Sequence, residues 1–437
     1  MEVFDVVVIG GGPAGMAAAL SAADSFDCEA PGMERESPGY AIDQKPGRAV
    51  NASNKLLTSK SLSQTAATGV PRVLLIERAP TLGGILNQCA HSGFGLSYFG
   101  EELTGREYAR RFVERIGASG VETLTDTMVL DIDNDGVLTL SGKKTGFARI
   151  KAKAVVLASG CRERPIGALS VAGTRPAGVL TAGAAQKMIN LGGYDIGERF
   201  VILGSGDVGM IVARELAQRG KEVIAVVEKE DKCGGLARNR VNCLERFGIP
   251  LITRATVSRV HGSGRISGVT ITPFGKGQEQ GAETVSRNPD NRGSDRKPQF
   301  IECDTLITSV GLIPERELLD SFADNLPDWL FLCGNACYVH DVVDDVTVES
   351  ERAGRFAAEY ALRGGEKRII GNEQLSMDNG RRTAGDANSK KETPGGAEVC
   401  LGCPKSCKAI LTPEGWQGLA CGRSDLVKGA NDTRVPK

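Results

Sequence analysis

Two parts of the chain repeat one pattern, in which an apolar run, a glycine-rich turn and a helical segment follow one another. Residues 4–9, FDVVVI, form a near-continuous β-branched run that is typical of a parallel strand buried on both faces. The turn GGGPAG and the alanine-rich MAAALSAA come next, and RVLLIERA (72–79) predicts a second strand. The same order returns in ERFVILGSGDVGMIVARELAQRG (198–220), before the strand EVIAVVEK. This twofold βαβ alternation predicts an α/β fold with two Rossmann-like, three-layer dinucleotide-binding domains.

The rest of the apolar pattern predicts further elements. Residues 107–120, EYARRFVERIGASG, have the periodicity of an amphipathic helix that is closed by glycine, and residues 346–364 predict another helix. Residues 148–160, ARIKAKAVVLASG, predict a pair of strands that ends at a glycine turn. Residues 300–315 and 329–341 predict strands that run into loops.

Three polar stretches interrupt these elements and indicate the domain organisation. Residues 24–71 are rich in Ser, Pro, Gly and charge, and they predict a poorly ordered insertion because loops of this length are unusual in compact domains. A loop insertion near 275–299 and a linker near 376–398 have a similar composition. The predicted units are a discontinuous first domain (1–170 and 312–366), a second domain (171–311), a linker (367–397) and a Cys-rich module (398–437).

Composition narrows the classes of function. The chain has 437 residues, which suggests two or three domains, and a formal net charge of −1. That charge argues against electrostatic binding to nucleic acid or to an acidic membrane. No apolar run reaches the roughly 18 residues that a membrane span needs, and the first residues lack the basic and cleavable regions of a signal peptide. A cytoplasmic protein is therefore the expectation.

The first glycine turn has the spacing of a dinucleotide-binding motif. In Gly10-x-Gly12-x-x-Gly15 the first glycine makes the tight turn and the second lets the backbone approach a pyrophosphate. The third lets helix and strand pack closely. The motif also needs an acid at the end of the second strand to hold a ribose hydroxyl. Glu77 has that place if the predicted insertion accounts for its distance, and the alternative is a surface glutamate.

The second turn repeats the motif at Gly204-x-Gly206-x-x-Gly209, with Glu228 at the expected distance beyond it. An acid at this position hydrogen-bonds a free 2′-hydroxyl and repels a 2′-phosphate, which favours NAD(H) over NADP(H). Two lysines close to this acid weaken that preference. Two dinucleotide sites in one chain imply hydride transfer between them, and a flavin is the simplest relay for a nicotinamide.

These motifs resemble those of the two-dinucleotide-binding flavoproteins, the superfamily of glutathione and thioredoxin reductases. Ala158-Ser159-Gly160 matches the "ATG" turn at which the chain of that superfamily leaves the FAD domain. LITSVGLIPE matches the segment that closes the NAD domain, and LFLCGNA resembles the later "xxxGD" motif, whose acid meets the flavin ribityl chain. Asn335 stands where that acid is expected, so it can hydrogen-bond but carries no charge.

Longer motifs resemble one branch of the superfamily. GGILNQCAHSGFGLSYFGEELTG, ASGCRERP, TRPAGVLTAGAAQKMIN and CGNACYVHDVVDDV are similar to the NAD(P)/FAD-dependent oxidoreductases that accompany GlpA-like glycerol-3-phosphate dehydrogenases. The resemblance implies an FAD subunit that passes electrons between a GlpA-like partner dehydrogenase and NAD or another carrier. The residues assigned to cofactor binding by the motifs and the resemblance are Gly10, Gly12, Pro13, Ala14, Gly15, Glu77, Arg78, Gly83, Gly84, Ala158, Ser159, Gly160, Gly204, Gly206, Asp207, Gly209, Glu228, Gly334 and Asn335.

The segment TLGGILNQCAHSGFG contains two candidates for catalysis. In the superfamily its glycine pair packs against the flavin, so the resemblance implies that Cys89 and His91 lie near the isoalloxazine ring. His91 could then exchange a proton as flavin N5 gains or loses hydride. His340, in NACYVHD, lies in the other flavin-facing segment and is the third candidate. The alternative for His91 is a loop residue that is bonded to the backbone.

The cysteine spacing argues against a disulfide reductase. Only Cys89 follows the glycine pair, and no CxxC lies between Cys161 and Gly204. A single thiol cannot carry two electrons as an internal disulfide. The sequence therefore predicts flavin chemistry without a redox disulfide at this place.

The last 40 residues contain a separate group of cysteines, Cys400, Cys403, Cys407 and Cys421. C-x₂-C-x₃-C with a fourth cysteine is a metal-binding spacing, and four thiolates can hold a [4Fe–4S] cluster or a zinc ion. Unmetallated thiols are the third alternative. The tail resembles a small Cys-rich protein of the same system, in which the pattern is CxxCPxGC, and Ser406 replaces its glycine here.

The leading hypothesis is an FAD-dependent oxidoreductase that transfers hydride between NAD(H) and flavin. It would serve a partner dehydrogenase that acts on glycerol 3-phosphate or a related hydroxy acid. One alternative is a stand-alone NADH oxidase or dye reductase. Another is a metal-binding redox sensor or scaffold that uses the Cys-rich tail for recognition.

Overall fold

The computed structural model describes residues 1–28, 70–273, 297–322 and 326–364, and four two-residue strands beyond them. The α-helices are α1 (Pro13–Cys28), α2 (Gly105–Ala118), α3 (Ala182–Asn190), α4 (Asp207–Gln218), α5 (Ala237–Asn239) and α6 (Val343–Leu362). The strands are β1 (Glu2–Ile9), β2 (Val73–Ile76), β3 (Ser92–Phe94), β4 (Leu103–Thr104), β5 (Glu122–Leu124), β6 (Thr127–Ile132), β7 (Val137–Gly142), β8 (Gly146–Leu157), β9 (Cys161–Glu163), β10 (Ala172–Gly173), β11 (Val179–Thr181), β12 (Arg199–Leu203), β13 (Glu222–Val227), β14 (Leu251–Ile252), β15 (Ala255–Gly262), β16 (Ile266–Pro273), β17 (Gln299–Ile301), β18 (Thr305–Thr308), β19 (Leu312–Pro314), β20 (Leu330–Leu332), β21 (Cys407–Lys408), β22 (Leu411–Thr412), β23 (Gly415–Trp416) and β24 (Ala420–Cys421).

The first large sheet combines parallel and antiparallel pairing around β1. Strands β5, β2, β1 and β8 follow one another in parallel, and β20 pairs in parallel with the second half of β8. The first half of β8 pairs antiparallel with β7, which pairs with β6. Val6 and Val8 face the core formed with α1, α2 and α6, whereas Val7 faces the core on the β6–β7 side. Both faces of β1 are thus buried, as its apolar run predicts.

The second unit repeats the doubly wound arrangement. Strands β11, β18, β12, β13 and β14 form a parallel sheet, and β10, β15, β16 and β17 form a second, mostly antiparallel sheet. Phe200 and Ile202 pack on the side of α3 and α4, whereas Val201 and Leu203 pack on the antiparallel sheet. The described residues therefore form a mixed α/β fold in which each of the two units contains a sheet with parallel strands.

Small residues bring α1 and α6 into close contact. A Cβ atom placed on Gly354 would lie 2.1 Å from the carbonyl oxygen of Ala18, and Ser21 Oγ donates a hydrogen bond of 2.8 Å to Glu351 O. Gly334, just after β20, packs on the first turn of α1 because a Cβ there would lie 2.7 Å from Ala14 Cβ. The loop that carries Asn335 is therefore held next to the first glycine turn.

Two local predictions were wrong in detail. Residues 148–160 do not form a pair of strands, because the single strand β8 runs without a turn residue through Leu157. Its alternating half pairs with β7 and its continuous apolar half lies between two parallel neighbours. Helix α1 also continues to Cys28, so residues 24–28 belong to the helix and not to the predicted insertion. Residues 29–69 of that insertion and the predicted linker lie outside the described residues, and the domain boundaries stay predictions.

Candidate functional site

At two of the three glycines in the first turn there is no room for a Cβ atom, and at the third there is. Gly10 has a φ of 109°, and a Cβ atom on it would lie 2.4 Å from Ala158 O. A Cβ on Gly15 would lie 1.7 Å from Gly10 O. Above Gly12, by contrast, the nearest neighbouring atom is Gly84 Cα at 4.0 Å. The turn therefore needs glycine for its own packing at two positions and leaves space beside the middle one.

A buried carboxylate and a glycine pair complete the surroundings of this turn. Glu77 is 7% exposed, and its Oε2 accepts a 2.6 Å hydrogen bond from Gly11 N while its Oε1 accepts one of 2.7 Å from Ala79 N. Gly83 N donates to Gly11 O at 2.8 Å, and a Cβ on Gly84 would lie 2.8 Å from Gly12 Cα. The acid and the glycine pair thus contact the turn directly.

The second glycine turn repeats these contacts. Gly204 has a φ of 97°, and a Cβ on it would lie 2.0 Å from Ser309 O. Glu228 Oε2 accepts from Ser205 N at 2.9 Å and from Ser205 Oγ at 2.5 Å, while Oε1 accepts from Glu230 N at 3.0 Å. In both units one carboxylate oxygen binds the residue after the first glycine, and the other binds the amide two residues beyond the acid.

Ser309 is a residue of the second turn that sequence reasoning did not single out. Its Oγ accepts a 3.1 Å hydrogen bond from Gly209 N, and it lies 3.5 Å from the position of a Cβ on Gly206. Ser309 belongs to the segment LITSVGLIPE. Its place directly after the apolar strand β18 is the sequence feature that could have marked it as a residue of the turn. Asp207, assigned to cofactor binding, instead accepts hydrogen bonds from Leu236 N at 2.9 Å and Asn239 Nδ2 at 2.7 Å.

The turn Ala158-Ser159-Gly160 is tied to the segment in which the chain returns to the first unit. Ser159 Oγ donates to Glu315 O at 2.6 Å, and Glu315 N donates to Gly160 O at 3.0 Å. The carboxylate of Glu315 lies 3.2 Å from the guanidinium of Arg78, which is largely exposed. These contacts join the segment that leaves the first unit to the segment that returns to it. The side chain of Arg78 pairs with Glu315 in this contact.

Cys89 lies buried at the contact between the two units. Its Sγ is 3.4 Å from Ile85 O and 3.8 Å from Gln186 Oε1 on α3. The neighbouring Gln88 Nε2 donates to Gly183 O at 2.8 Å. Burial, followed by the negative charge of Glu215, raises the pKa of the Cys89 thiol to about 12. The side chain is therefore a protonated thiol at neutral pH.

This burial predicts an unreactive Cys89 in the native protein. With a pKa of about 12, roughly one thiol in ten thousand is ionised at pH 8, and only the thiolate attacks an alkylating agent. We expect iodoacetamide to leave Cys89 unmodified for hours at pH 8, as measured by peptide mass spectrometry. The same protein in guanidinium chloride is the control and should be labelled at the ordinary rate. Labelling of native Cys89 within minutes would contradict the buried, protonated thiol.

His91 faces helix α4 of the second unit. Its Nδ1 lies 3.0 Å from Ser92 O, so this nitrogen carries the proton that the carbonyl accepts. Burial lowers the pKa of His91, and the nearby Arg214 lowers it further. The ring lines a cleft of about 410 Å³ together with Ile211, Arg214 and Glu215. A neutral imidazole with an unprotonated Nε2 therefore lies between the units, and its predicted place beside a flavin stays a prediction.

The loop after His91 is held by an acid that the sequence analysis did not select. Asp344, at the start of α6, is 6% exposed and accepts hydrogen bonds from Gly95 N at 3.0 Å, Ser97 N at 2.8 Å and Tyr98 N at 3.2 Å. No local pattern marks this residue. Its carboxylate joins α6 to the segment that carries Cys89 and the glycine pair.

The segment around Asn335 and His340, which the resemblance predicts to face a flavin, forms its own cluster. Asn335 Oδ1 accepts a 3.0 Å hydrogen bond from His340 N, and Asn335 Nδ2 lies 3.6 Å from Cys161 Sγ. His340 Nε2 lies 2.5 Å from Glu349 Oε2 on α6. Asn335 and His340, two residues that the sequence selected separately, are thus in direct contact.

The predicted tail site falls mostly outside the described residues, which include neither Cys400 nor Cys403. Cys407 and Cys421 lie on the paired strands β21 and β24, where they are directly opposite each other in an antiparallel register.

The family assignment follows from a comparison with known proteins. A family model described as pyridine nucleotide-disulphide oxidoreductase matches residues 4–327. The chain belongs to this family. FAD and NAD(P) are the cofactors typical of it, and the glycine turns described above lie within the matched residues. The assignment agrees with the resemblance to the glutathione and thioredoxin reductase superfamily, whereas the link to GlpA-like partners stays a prediction.

Curated relatives and solved structures agree with this assignment. The alpha chain of sarcosine oxidase from Corynebacterium sp. (strain P-1) is 27% identical over 320 residues, which are 71% of this chain and 26% of that protein. A subunit of opine oxidase from Rhizobium meliloti (strain 1021) is 26% identical over 159 residues, 36% of this chain and 33% of that protein. The chain thus matches about a quarter to a third of the length of these relatives.

Thioredoxin reductases share the fold. The T. acidophilum enzyme has a TM-score of 0.57 and 18% identity over 83% of this chain and 100% of its own. The Lactococcus lactis enzyme has a TM-score of 0.55 and 17% identity, covering 83% of this chain and 99% of its own. Within the residues described by the structure, no helix has both the length and the apolar composition that a membrane span requires.

Proposed function

We propose that the protein is an FAD-dependent oxidoreductase that transfers hydride between NAD(H) and FAD. The observation that carries this proposal is the pair of equivalent glycine turns, each with space beside its middle glycine and a buried acid bonded to its backbone. Space at this position is what a dinucleotide pyrophosphate needs, because the phosphates approach the backbone at a helix N-terminus. The residues present therefore fit two dinucleotides.

The first turn would hold FAD and the second NAD(H). Gly12 and the N-terminus of α1 would face the FAD pyrophosphate, while each carboxylate oxygen of Glu77 has a second lone pair for a ribose hydroxyl. Gly206, the N-terminus of α4 and Glu228 would do the same for NAD(H). The bound flavin would supply the hydride acceptor and donor. The glycine pair and the carboxyl edge of β8 and β20 would border that site.

A partner dehydrogenase is the proposed source or destination of the electrons. The relatives are by name subunits of sarcosine and opine oxidases, and this chain matches only about a quarter to a third of their length. The first of these facts is expected of a redox unit that works beside a second protein. The longer motifs of the sequence resemble those that accompany GlpA-like dehydrogenases, so we propose a partner of that kind, which acts on glycerol 3-phosphate or a related hydroxy acid.

The experiment that tests the proposal is an anaerobic absorption spectrum of the pure protein before and after addition of NADH. We expect a yellow protein whose flavin absorption is bleached by a stoichiometric amount of NADH. Protein that stays colourless after reconstitution with FAD would contradict the proposal. Rapid steady-state turnover with NADH and oxygen or a dye, without a partner dehydrogenase, would favour the stand-alone oxidase instead.

For the tail we propose a metal centre held by Cys400, Cys403, Cys407 and Cys421. The antiparallel register of Cys407 and Cys421 supports it, because it places these two cysteines opposite each other on neighbouring strands. An iron–sulfur cluster is favoured, since a flavin can pass single electrons to it.

The tail proposal predicts a measurable metal content. We expect protein purified without oxygen to contain iron and acid-labile sulfide, and Cys403→Ser to lose most of both. Zinc at one ion per chain would support the structural alternative. Absence of both metals from the anaerobic protein would contradict a metal centre.

A further inference from the structure

The cleft of about 410 Å³ between the two units has the size of a small-molecule site. His91 lines it from the first unit, and one face of α4 lines it from the second. That face carries four polar residues, Arg214, Glu215, Gln218 and Arg219. Arg214 lies two turns beyond the start of α4 at Asp207, about 10 Å along the helix axis. The cleft is therefore separate from the space beside Gly206.

Two of these polar residues are already used within the wall of the cleft. Glu215 Oε1 accepts a hydrogen bond of 3.1 Å from Arg219, one turn further along α4, and Glu215 Oε2 accepts one of 3.2 Å from Asn190 Nδ2. Arg219 also donates to Asn190 Oδ1 at 3.1 Å. The opposite charges of Glu215 and Arg219 therefore compensate each other.

Arg214 supplies the charge that the cleft leaves uncompensated. Its side chain is partly buried, and it forms no hydrogen bond or ion pair with another residue in the part of the chain that the structure describes. Neighbouring residues of a helix do not face each other, so Glu215 is not its partner. The guanidinium lies close enough to His91 to lower the pKa of that imidazole. It presents a planar fork of N–H donors, which a carboxylate or a phosphate binds through two parallel hydrogen bonds.

His91 supplies a hydrogen-bond acceptor to the same cleft. Its Nδ1 donates to Ser92 O at 3.0 Å, which leaves the lone pair on Nε2, and Nε2 bonds to no other described residue. Because burial lowers the pKa of His91, the ring is neutral and adds no second positive charge. A neutral imidazole nitrogen of this kind accepts a hydrogen bond from a hydroxyl group.

We propose that this cleft binds a small hydroxylated anion, whose carboxylate or phosphate group pairs with Arg214 and whose hydroxyl group donates to His91 Nε2. The anion compensates the charge that no protein group compensates, and its hydroxyl occupies the one acceptor that the first unit offers. Such a ligand joins the two units, because its two contacts lie on opposite walls. The inference does not rest on the proposed function, since neither dinucleotide contributes a group to the site.

The experiment is a titration of the full-length protein labelled with ¹⁵N-histidine, at constant ionic strength, followed through the NMR signals of the ring nitrogens. His91→Gln identifies the His91 signals among those of the three histidines. We expect lactate to shift the His91 Nε2 signal saturably and to leave the signals of His261 and His340 in place. Propionate, which lacks the hydroxyl, should bind at least about fivefold more weakly, and glycerol, which lacks the anion, should cause no shift.

Glycerol phosphate and propyl phosphate form the corresponding pair of phosphate ligands. The hydroxylated ligand that binds more tightly identifies the anionic group that the site takes. Absence of a saturable shift with both lactate and glycerol phosphate would overturn the proposal. Equal shifts with lactate, propionate and chloride would indicate an adventitious ion only, and would overturn it as well.

Substitutions of Arg214 test the other half of the site. We expect Arg214→Gln to raise the dissociation constant of lactate at least about tenfold. Arg214→Lys keeps the charge without the fork, so it should give an intermediate value and serves as the test if the glutamine variant does not fold. Arg110→Gln removes an exposed arginine on α2, outside the cleft, and should keep the wild-type value. An unchanged dissociation constant in the folded Arg214 variants would overturn the proposal.

Discussion

Replacing Gly12 by valine is expected to abolish FAD binding while the apo-protein still folds. A Cβ atom on Gly12 meets no neighbour closer than 4.0 Å, so the first atom of the new side chain has room in the protein itself. It fills the space that a pyrophosphate would occupy above the turn. We expect the dissociation constant for FAD to rise at least 1000-fold, about 4 kcal/mol. Flavin fluorescence during titration of the apo-protein measures it, and the melting temperature measured by circular dichroism should stay near the wild-type value.

Two matched variants separate the parts of this prediction. Gly15→Ala should destabilise the apo-protein by several kcal/mol, because its Cβ would lie 1.7 Å from Gly10 O and a backbone atom must move. Gly206→Val should leave FAD bound and remove binding of NAD(H), since it fills the equivalent space of the second turn. Wild-type FAD affinity in Gly12→Val would show that the cofactor does not lie over the first turn.

The glycine turns could be predicted from sequence because every signal in them is local. An apolar β-branched run, glycines at fixed spacing and an acid after the next strand are all readable in short windows. The anchoring of Glu77 to Gly11 shows that the motif survives a long interruption, here the 66 positions that separate the two residues. What the spacing could not show is that both acids also bind the turn backbone itself.

Contacts between distant segments had no such signal. Asp344 binds Ser97 across 247 positions, and Cys89 approaches Gln186 across 97. An acidic pair at a helix start is consistent with a simple favourable interaction with the helix dipole, so the role of Asp344 as an acceptor for three loop amides required the structure. The flavin-facing assignment of Cys89 came from resemblance, and the packing of α3 against it was not readable from the sequence.

The strand β8 shows a limit of predicting strands from hydrophobic periodicity. Its first half alternates lysine with apolar residues and its second half is continuously apolar, which favours reading two strands. The change in pattern reflects a change in partners, from the antiparallel β7 to the parallel β20. Periodicity reports burial on each face of a strand, and here burial changes along one unbroken strand.

Replacing Glu228 by arginine should reverse the coenzyme preference. The carboxylate is buried at the end of β13 and accepts two hydrogen bonds from Ser205, so a ribose hydroxyl could still donate to it, whereas a 2′-phosphate would meet a negative charge. We expect the wild type to be reduced by NADH in preference to NADPH. In Glu228→Arg the ratio of the two rates at low coenzyme concentration should fall at least 100-fold, about 2.7 kcal/mol, because arginine pairs with the phosphate.

The controls for this prediction use the same short segment. Glu228→Gln keeps an oxygen for the amide of Ser205 but removes the charge, so its preference should fall about tenfold, between wild type and arginine variant. Glu230→Gln, an exposed neighbour whose own amide binds Glu228, should leave the ratio unchanged. Stopped-flow bleaching of the flavin by each coenzyme gives all the ratios. Equal bleaching of the wild type by NADH and NADPH would show that the buried carboxylate does not select against the phosphate, and that the coenzyme ribose lies elsewhere on the second unit.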